Sequence, residues 1–332
     1  MSNVTDKPRV LSQLALLPQA MSVLEPLVEL QVGPIEDSDA WYAGAAGYDA
    51  LILGGNTVMD GPRMDRIGSR LRALVRPGIG VDRIDIAAAT ERGIMVINTP
   101  DAPTESTAEH AIALMLCLTK GVMTGDRWLH AGKGFPPLGT IPPGLEALGA
   151  TLALVGLGRI GSRVAQIARV LGMRVLAYDP YVPAERAQSL GVEMVGSLDE
   201  LWPQADVVSL HVPPLPETYR MINAETLAKM RRGVFLVNVA RGGLIDEAAL
   251  LEALRSGQVA AAGLDVFDPE PPDPNNPLLQ EPNVVCTSHV GSYTSAGLLK
   301  MQVQSAEQIA QMVRGERPSN LVNPEVWGKH RG

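Results

Sequence analysis

The sequence predicts an α/β chain built as two parallel-sheet domains, one inserted into the other. Three observations carry this. Short apolar runs alternate with helical patterns along most of the chain, as strands covered on both faces by helices do. Near the middle, Gly156, Gly158 and Gly161 stand at Gly-x-Gly-x-x-Gly spacing between an apolar run and a helical pattern. With 332 residues, 46% of them hydrophobic, and a mean hydropathy of +0.09, the chain has material for about two packed domains of ordinary size.

Taken in order, 10–17 reads as a first buried strand. Strands follow at 49–53, 71–75 and 95–98, each ending in a turn rich in Gly, Pro, Asn or Asp. This layer has no glycine fingerprint. Residues 99–103 lead out of it into a long apolar helix, 104–119. A Pro- and Gly-rich stretch, 132–144, reads as an arm that meets a second subunit. The middle of the chain then carries six strands, at 151–155, 174–178, 206–211, 233–239, 259–266 and 284–288. Asn223 and Asp246 are the N-caps of helices between them, and Gly257 closes one. Last comes a helix pattern over 295–314, with a tail that returns to the first layer and supplies its closing helix. The predicted domains are therefore 1–103 plus 296–332 for substrate and 104–295 for a nucleotide, both of Rossmann- or flavodoxin-like type.

Charge and cysteine content narrow the class. A net charge of −8 and a pI near 5.2 exclude nucleic-acid binding by bulk electrostatics. Two cysteines, Cys117 and Cys286, lie far apart in apolar runs, which speaks for a reducing compartment and against a metal cluster or disulfide framework. Lys7 and Arg9 ahead of an apolar stretch imitate a signal peptide, but the stretch is short and interrupted by Gln13. No apolar run approaches the roughly 20 residues that cross a bilayer. The expectation is a cytoplasmic protein that binds neither nucleic acid nor membrane.

The glycine fingerprint has a physical reading at each position. Gly156 makes the tight turn, Gly158 lets backbone N–H groups approach a pyrophosphate, and Gly161 lets helix and strand pack closely. The helix start, with Arg159 and Ile160, adds partial positive charge toward the phosphates. Asp179 ends the next strand, 18 residues beyond Gly161, where an acid holds ribose hydroxyls. A carboxylate there repels a 2′-phosphate, so NAD is favoured over NADP.

Ligands of an open parallel sheet bind beyond the carboxyl ends of its strands. The residues that follow the last three strands include Arg241, Glu270 and His289. Arg241 offers a fixed fork of donors for a carboxylate. His289 can exchange a proton near neutral pH, as a carbonyl becoming an alcohol requires. Glu270, in a Pro-flanked loop, can bond the imidazole and favour its protonated form. Asp265 can accept from a nicotinamide carboxamide, and Ala240 completes the cofactor set. His110, inside a helix pattern, and His211, at a strand end, read as structural. The chemistry implied is reversible hydride transfer between NAD and a substrate carbon, with His289 handling the proton.

The glycine run, Asn238-Val239-Ala240-Arg241-Gly242, Gly263-Leu264-Asp265-Val266-Phe267 with Glu270-Pro271, and Ser288-His289-Val290-Gly291 resemble the motifs of the D-isomer-specific 2-hydroxyacid dehydrogenase family. The likeness extends to Arg76-Pro77-Gly78-Ile79-Gly80-Val81-Asp82 and to the 320–323 tail. It implies that Arg241, Glu270 and His289 are catalytic, that Asp265 contacts the nicotinamide, that Ile79 and Gly80 hold the substrate carboxylate, and that the protein is a homodimer. Phosphoglycerate dehydrogenases of this family often carry an Arg in the loop after the third early strand, where this chain has Leu53-Gly54-Gly55-Asn56-Thr57. That lowers the phosphoglycerate reading relative to a small 2-keto acid such as glyoxylate or hydroxypyruvate, though Arg76 remains. An NAD-sensing binding protein resembling the corepressors of this fold ranks below both, since the chain has neither an obvious disordered tail nor a basic region.

Overall fold

The computed structural model describes residues 7–36, 38–137, 139 and 142–329. The chain divides into two compact units, one formed by the residues up to Pro103 together with those from Tyr293 on, the other by Thr104–Ser292. The second crossing falls at Tyr293 instead of 296. Thr294 caps the helix Ser295–Val313 by accepting from the Gly297 amide, so the cap stays with the helix it starts. Within the 132–144 stretch, residues 138, 140 and 141 lie outside the described residues.

In the first unit the strands β1 (Arg9–Ser12), β2 (Glu29–Val32), β3 (Ala50–Ile52), β4 (Ala73–Arg76) and β5 (Met95–Asn98) form one parallel sheet, ordered β2-β1-β3-β4-β5. Alternate residues point to opposite faces. Leu11, Leu51, Leu74 and Val96 therefore join one core, while Val10, Ala50, Ile52, Val75 and Ile97 join another. The second core is closed by Ala306, Ile309 and Met312 of the helix Ser295–Val313, together with Leu24 of the helix Pro18–Leu24. The tail is held tightly: Asn323 accepts from the Val96 amide and donates to the Ile94 carbonyl and the Thr90 hydroxyl. The expected strand over 10–17 stops at Ser12, whose hydroxyl donates to the Leu14 carbonyl and turns the chain. Edge strand β2 went unseen in the sequence because only one of its four residues is more than slightly covered.

The second unit is a seven-stranded parallel sheet of β6 (Thr151–Val155), β7 (Arg174–Tyr178), β8 (Glu193–Met194), β9 (Val207–Leu210), β10 (Val234–Asn238), β11 (Val259–Leu264) and β12 (Val284–Cys286). Its order is β12-β11-β10-β9-β6-β7-β8, so the chain reverses its direction of build between β6 and β9. Six of these strands stand at the positions read from the sequence, β6 and β7 with the same bounds and the other four trimmed at their ends; β8, two residues long at the far edge, is the seventh. Leu152 and Leu154 point into a core with Ala108, Leu114 and Leu118 of the helix Thr104–Thr119 and Val164 and Ala168 of the helix Arg159–Val170. Ala153 and Val155 point the other way, toward Trp202, Leu227, Leu250 and Leu254. Asn223 and Asp246 cap as expected, Asn223 in a reciprocal capping box with Thr226.

His211, just beyond β9, lies half-buried under the turn that follows β6. Its Nε2 lies 2.9 Å from the Ser209 hydroxyl, while Nδ1 is buried with no hydrogen-bond partner among the described residues. Burial pushes this imidazole down to about 4 from 6.5. Below pH 6.5 the unfolded chain therefore holds a proton that the native state does not, and stability falls until about pH 4. In urea unfolding between pH 7 and pH 5, the parent should lose on the order of 2 kcal/mol more than a His211→Gln variant. Equal losses would mean that His211 titrates alike in both states.

Candidate active site

The turn after β6 is shaped by contacts that only glycine permits. Gly156 takes φ +96°, and a Cβ there would lie 2.6 Å from the His211 carbonyl oxygen. A Cβ on Gly161 would be driven into the Gly156 carbonyl, so the first turn of the helix Arg159–Val170 lies directly on the loop. Gly158, the N-cap residue of that helix, has no side chain to cap it and open space above. An uncapped helix start beneath a free approach fits a pyrophosphate, because the first-turn N–H groups have no intrahelical acceptor. Asp179 is tied to the same loop: one carboxylate oxygen accepts from the Leu157 amide at 2.8 Å, the other from the Tyr181 amide at 2.9 Å. Each oxygen keeps a further lone pair for a ribose hydroxyl. The glycine turn sits where the strand order reverses, the position at which such sheets bind ligands.

On the far side of that reversal, β10, β11 and β12 are neighbours, and the residues that follow them emerge along one carboxyl edge. Arg241 follows β10. The fully buried Asn238 holds its backbone, donating to the Arg241 carbonyl at 2.8 Å and accepting from the Ala240 amide at 3.0 Å. Gly242 packs so closely on the Phe267 backbone that a Cβ would collide with the Phe267 carbonyl. The loop bearing Arg241 and the loop bearing Glu270 are thus in direct backbone contact. Glu247 holds the second loop from below, accepting from the Asp268 amide at 3.0 Å and from the Asn276 side chain at 2.6 Å.

Glu270 and His289, nineteen residues apart, meet. His289 Nδ1 donates to Glu270 Oε1 at 2.6 Å, and the imidazole is 43% exposed. With Nδ1 committed to the carboxylate, Nε2 is the nitrogen available to exchange a proton. His289 also adopts φ +54°, in the left-handed region that non-glycine residues rarely occupy. That conformation is why β12 ends at Cys286 and not at 288 as the apolar run suggested.

Asp265, the residue expected to face the nicotinamide, is bound into the loop that carries His289. The residue is only 1% exposed, and its carboxylate accepts from the Thr287 hydroxyl at 2.6 Å and from the Val290 and Gly291 amides at 2.9 Å each. Burial alone would raise its pKa, but hydrogen bonds from His110, Thr287, Val290 and Gly291 outweigh it and hold the carboxyl below the usual range. Asp265 is a buried anchor for the His289 loop. Sequence reasoning also passed over His110, whose Nε2 lies 3.0 Å from the Thr287 hydroxyl. The available signal was Thr107 and His110, two polar residues three apart just ahead of the apolar run 111–118 of the helix Thr104–Thr119. Ala240 lies on the loop held by Asn238, and Arg159 and Ile160 open the helix Arg159–Val170.

Ile79 and Gly80 belong to the first unit, in the loop after β4. The Gly78 amide donates to the Thr99 hydroxyl at 2.7 Å, Asn98 donates to the Ile79 carbonyl at 2.9 Å, and Ile79 is 38% exposed. The loop after β3 is tied to the segment after β1, with the Gly54 amide and the Thr57 hydroxyl both donating to Gln13 Oε1. Among the described residues no group of His, Cys, Asp and Glu could hold a metal ion, and no helix is long and apolar enough to cross a membrane.

Comparison with known proteins follows this geometry. The D-3-phosphoglycerate dehydrogenase of Archaeoglobus fulgidus is 44% identical over 276 residues, 83% of this chain and 51% of that protein. The protein of the same name from Methanocaldococcus jannaschii is 40% identical over 308 residues, 92% of this chain and 57% of that one. The chain thus spans about half the length of these curated relatives. Among solved structures, a glyoxylate reductase from Paecilomyes thermophila superposes with a TM-score of 0.85 at 29% identity, covering 95% of this chain and 98% of that one. A D-lactate dehydrogenase from Aquifex aeolicus, complexed with NAD and lactic acid, does so with a TM-score of 0.83 at 28% identity, covering 95% and 99%. The family model described as "D-isomer specific 2-hydroxyacid dehydrogenase, NAD binding domain" matches residues 112–291, from within the helix Thr104–Thr119 to Gly291 beside His289. The chain belongs to the D-isomer-specific 2-hydroxyacid dehydrogenase family.

Proposed function

We propose that this chain is an NAD-dependent enzyme that interconverts a small 2-keto acid and the corresponding D-2-hydroxy acid, with His289 and Glu270 as the acid–base pair and Arg241 holding the substrate carboxylate. The observation that carries the reading is the 2.6 Å bond between His289 Nδ1 and Glu270 Oε1, beside the Arg241 loop at the carboxyl edge of the sheet that bears the glycine turn. The glycine turn from Gly156 to Gly161 and Asp179 are the residues that would hold NAD. Bound as NADH, that group supplies the hydride which the substrate carbon accepts.

The remaining work falls to the chain. Arg241 stays charged at any working pH and offers paired donors to a planar carboxylate, which orients the keto acid. His289 Nε2 gives its proton to the carbonyl oxygen as that atom becomes a hydroxyl, and Glu270 balances the imidazolium beforehand and keeps the ring in one orientation. In the reverse direction the neutral imidazole takes the hydroxyl proton.

The substrate is read as small and unphosphorylated, such as glyoxylate or hydroxypyruvate. The loop after β3 supports this: it carries Gly54 and Gly55 and spends its Gly54 amide and Thr57 hydroxyl on Gln13. The names of the curated relatives favour a second reading, a phosphorylated hydroxypyruvate. A cytoplasmic homodimer completes the proposal. The helix Val122–His130 buries none of its residues, and Val122, Leu129 and Phe135 are exposed apolar groups that a second copy would cover.

A panel of 2-keto acids should reveal the substrate by NADH consumption, with the small unphosphorylated acids turned over faster than 3-phosphohydroxypyruvate. NADH binding without turnover of any of them would sink the proposal, and preference for the phosphorylated compound would select the second reading. Replacing His289 by Ala should lower kcat about 10²- to 10⁴-fold, the usual worth of a positioned acid–base group. NADH affinity, read by fluorescence titration, should stay within about twofold, and equal losses in both would make His289 a structural residue.

A further inference from the structure

The segment that carries His289 is fixed almost entirely by one residue. Asp265 accepts from the Thr287 hydroxyl and the Val290 amide on Oδ1, from the Gly291 amide on Oδ2, and from the His289 amide on its backbone carbonyl at 2.8 Å. Hydrogen bonds from both sides of His289 therefore converge on one buried side chain, and they enforce the left-handed backbone of His289.

A count of protons extends this set by one member. An ionised carboxylate only accepts, so the single hydroxyl hydrogen of Thr287 is committed to Asp265. Thr287 Oγ1 can then meet His110 Nε2, 3.0 Å away, only as an acceptor. Nε2 of His110 must carry a hydrogen; it also lies 3.4 Å from Asp265 Oδ1. The contact is close on every side, since a Cβ on Gly291 would stand 3.0 Å from Asp265 Oδ2, 3.5 Å from Thr107 Cγ2 and 3.6 Å from His110 Cδ2. The side chain of His110 is 20% exposed and that of Asp265 1%.

We propose that His110 is a positioning residue for the reaction: its Nε2–H locks the Thr287 hydroxyl onto Asp265, and Asp265 in turn locks the backbone that aims His289. This rests on the reading of His289 as the proton-exchanging group. His110 acts only through Thr287 and Asp265. A residue that merely filled space at this point of the helix Thr104–Thr119 would be replaceable by any side chain of similar volume. A donor in a fixed relay is replaceable only by another donor.

The experiment compares His110→Leu with His110→Gln, which keeps a side-chain N–H, and Thr287→Val with Thr287→Ser, which keeps the hydroxyl. Two quantities are read on the full-length protein: hydrogen exchange at the Val290 and Gly291 amides without substrate, and kcat for keto-acid reduction beside the Kd for NADH. His110→Leu and Thr287→Val should each speed exchange at Val290 and Gly291 by about tenfold or more. They should also lower kcat about 10- to 100-fold while the Kd for NADH stays within about twofold, the cost of a slightly misplaced reacting group. The double variant should fall no further than either single one, and His110→Gln and Thr287→Ser should stay near the parent. The proposal is overturned if exchange in His110→Leu matches the parent, if His110→Gln falls as far as His110→Leu, or if the two losses multiply. Should His110→Leu fail to fold, the Thr287 pair and His110→Gln decide by the same criteria. If the parent reduces no 2-keto acid, the exchange rates alone decide the positioning role, and the functional reading fails separately.

Discussion

Parallel pairing is the constraint from which the rest of the nucleotide-binding unit follows. Seven strands running the same way cannot be joined by tight hairpins, so each connection crosses back over a face of the sheet, commonly as a helix. Every strand then releases its chain at the same edge. Arg241, Glu270 and His289 lie 29 and 19 residues apart in the chain, yet they follow three adjacent strands and have no choice but to emerge together. The buried faces set the rest. Leu152 and Leu154 on one side and Ala153 and Val155 on the other fix the register of β6, and with it the height at which the glycine turn leaves the sheet.

The site is held by backbone groups more than by side-chain packing. Asn238 grips the Arg241 loop, Glu247 the Glu270 loop, and Asp265 the His289 loop, each buried or half-buried and each spending its side chain on main-chain partners. Buried polar side chains would be costly if left unsatisfied. Here they are satisfied by the segments they position, so stability and geometry come from the same bonds. Among the described residues of this unit the exceptions are Thr104, Trp128 and His211, each with one buried polar atom unpaired, that of His211 beneath the glycine turn.

Much of this was legible in the sequence. Long helices such as Thr104–Thr119 and Ser295–Val313 were readable because their apolar periodicity runs for sixteen and nineteen residues. The central strands were readable because burial on both faces leaves unbroken apolar runs. Strand β2 was not, since an edge strand with exposed residues carries no such run. At the site, the residues that face outward were legible from their chemistry at strand ends. Their supports were not: the bonds by which Asp265 holds the His289 loop, and the approach of His110 to Thr287, join segments far apart in the chain. The reason is physical. The role of an anchor is set by which segment lies across from it, and that pairing is a tertiary fact with no local pattern.

The backbone contact between Gly242 and Phe267 bears on how this enzyme can diversify. No side chain separates the loop of Arg241 from the loop of Glu270, so neither can drift in sequence or conformation without displacing the other. The two loops are inherited as one block. Variation must therefore fall in segments that can change alone, while this pair passes unaltered from one descendant to the next.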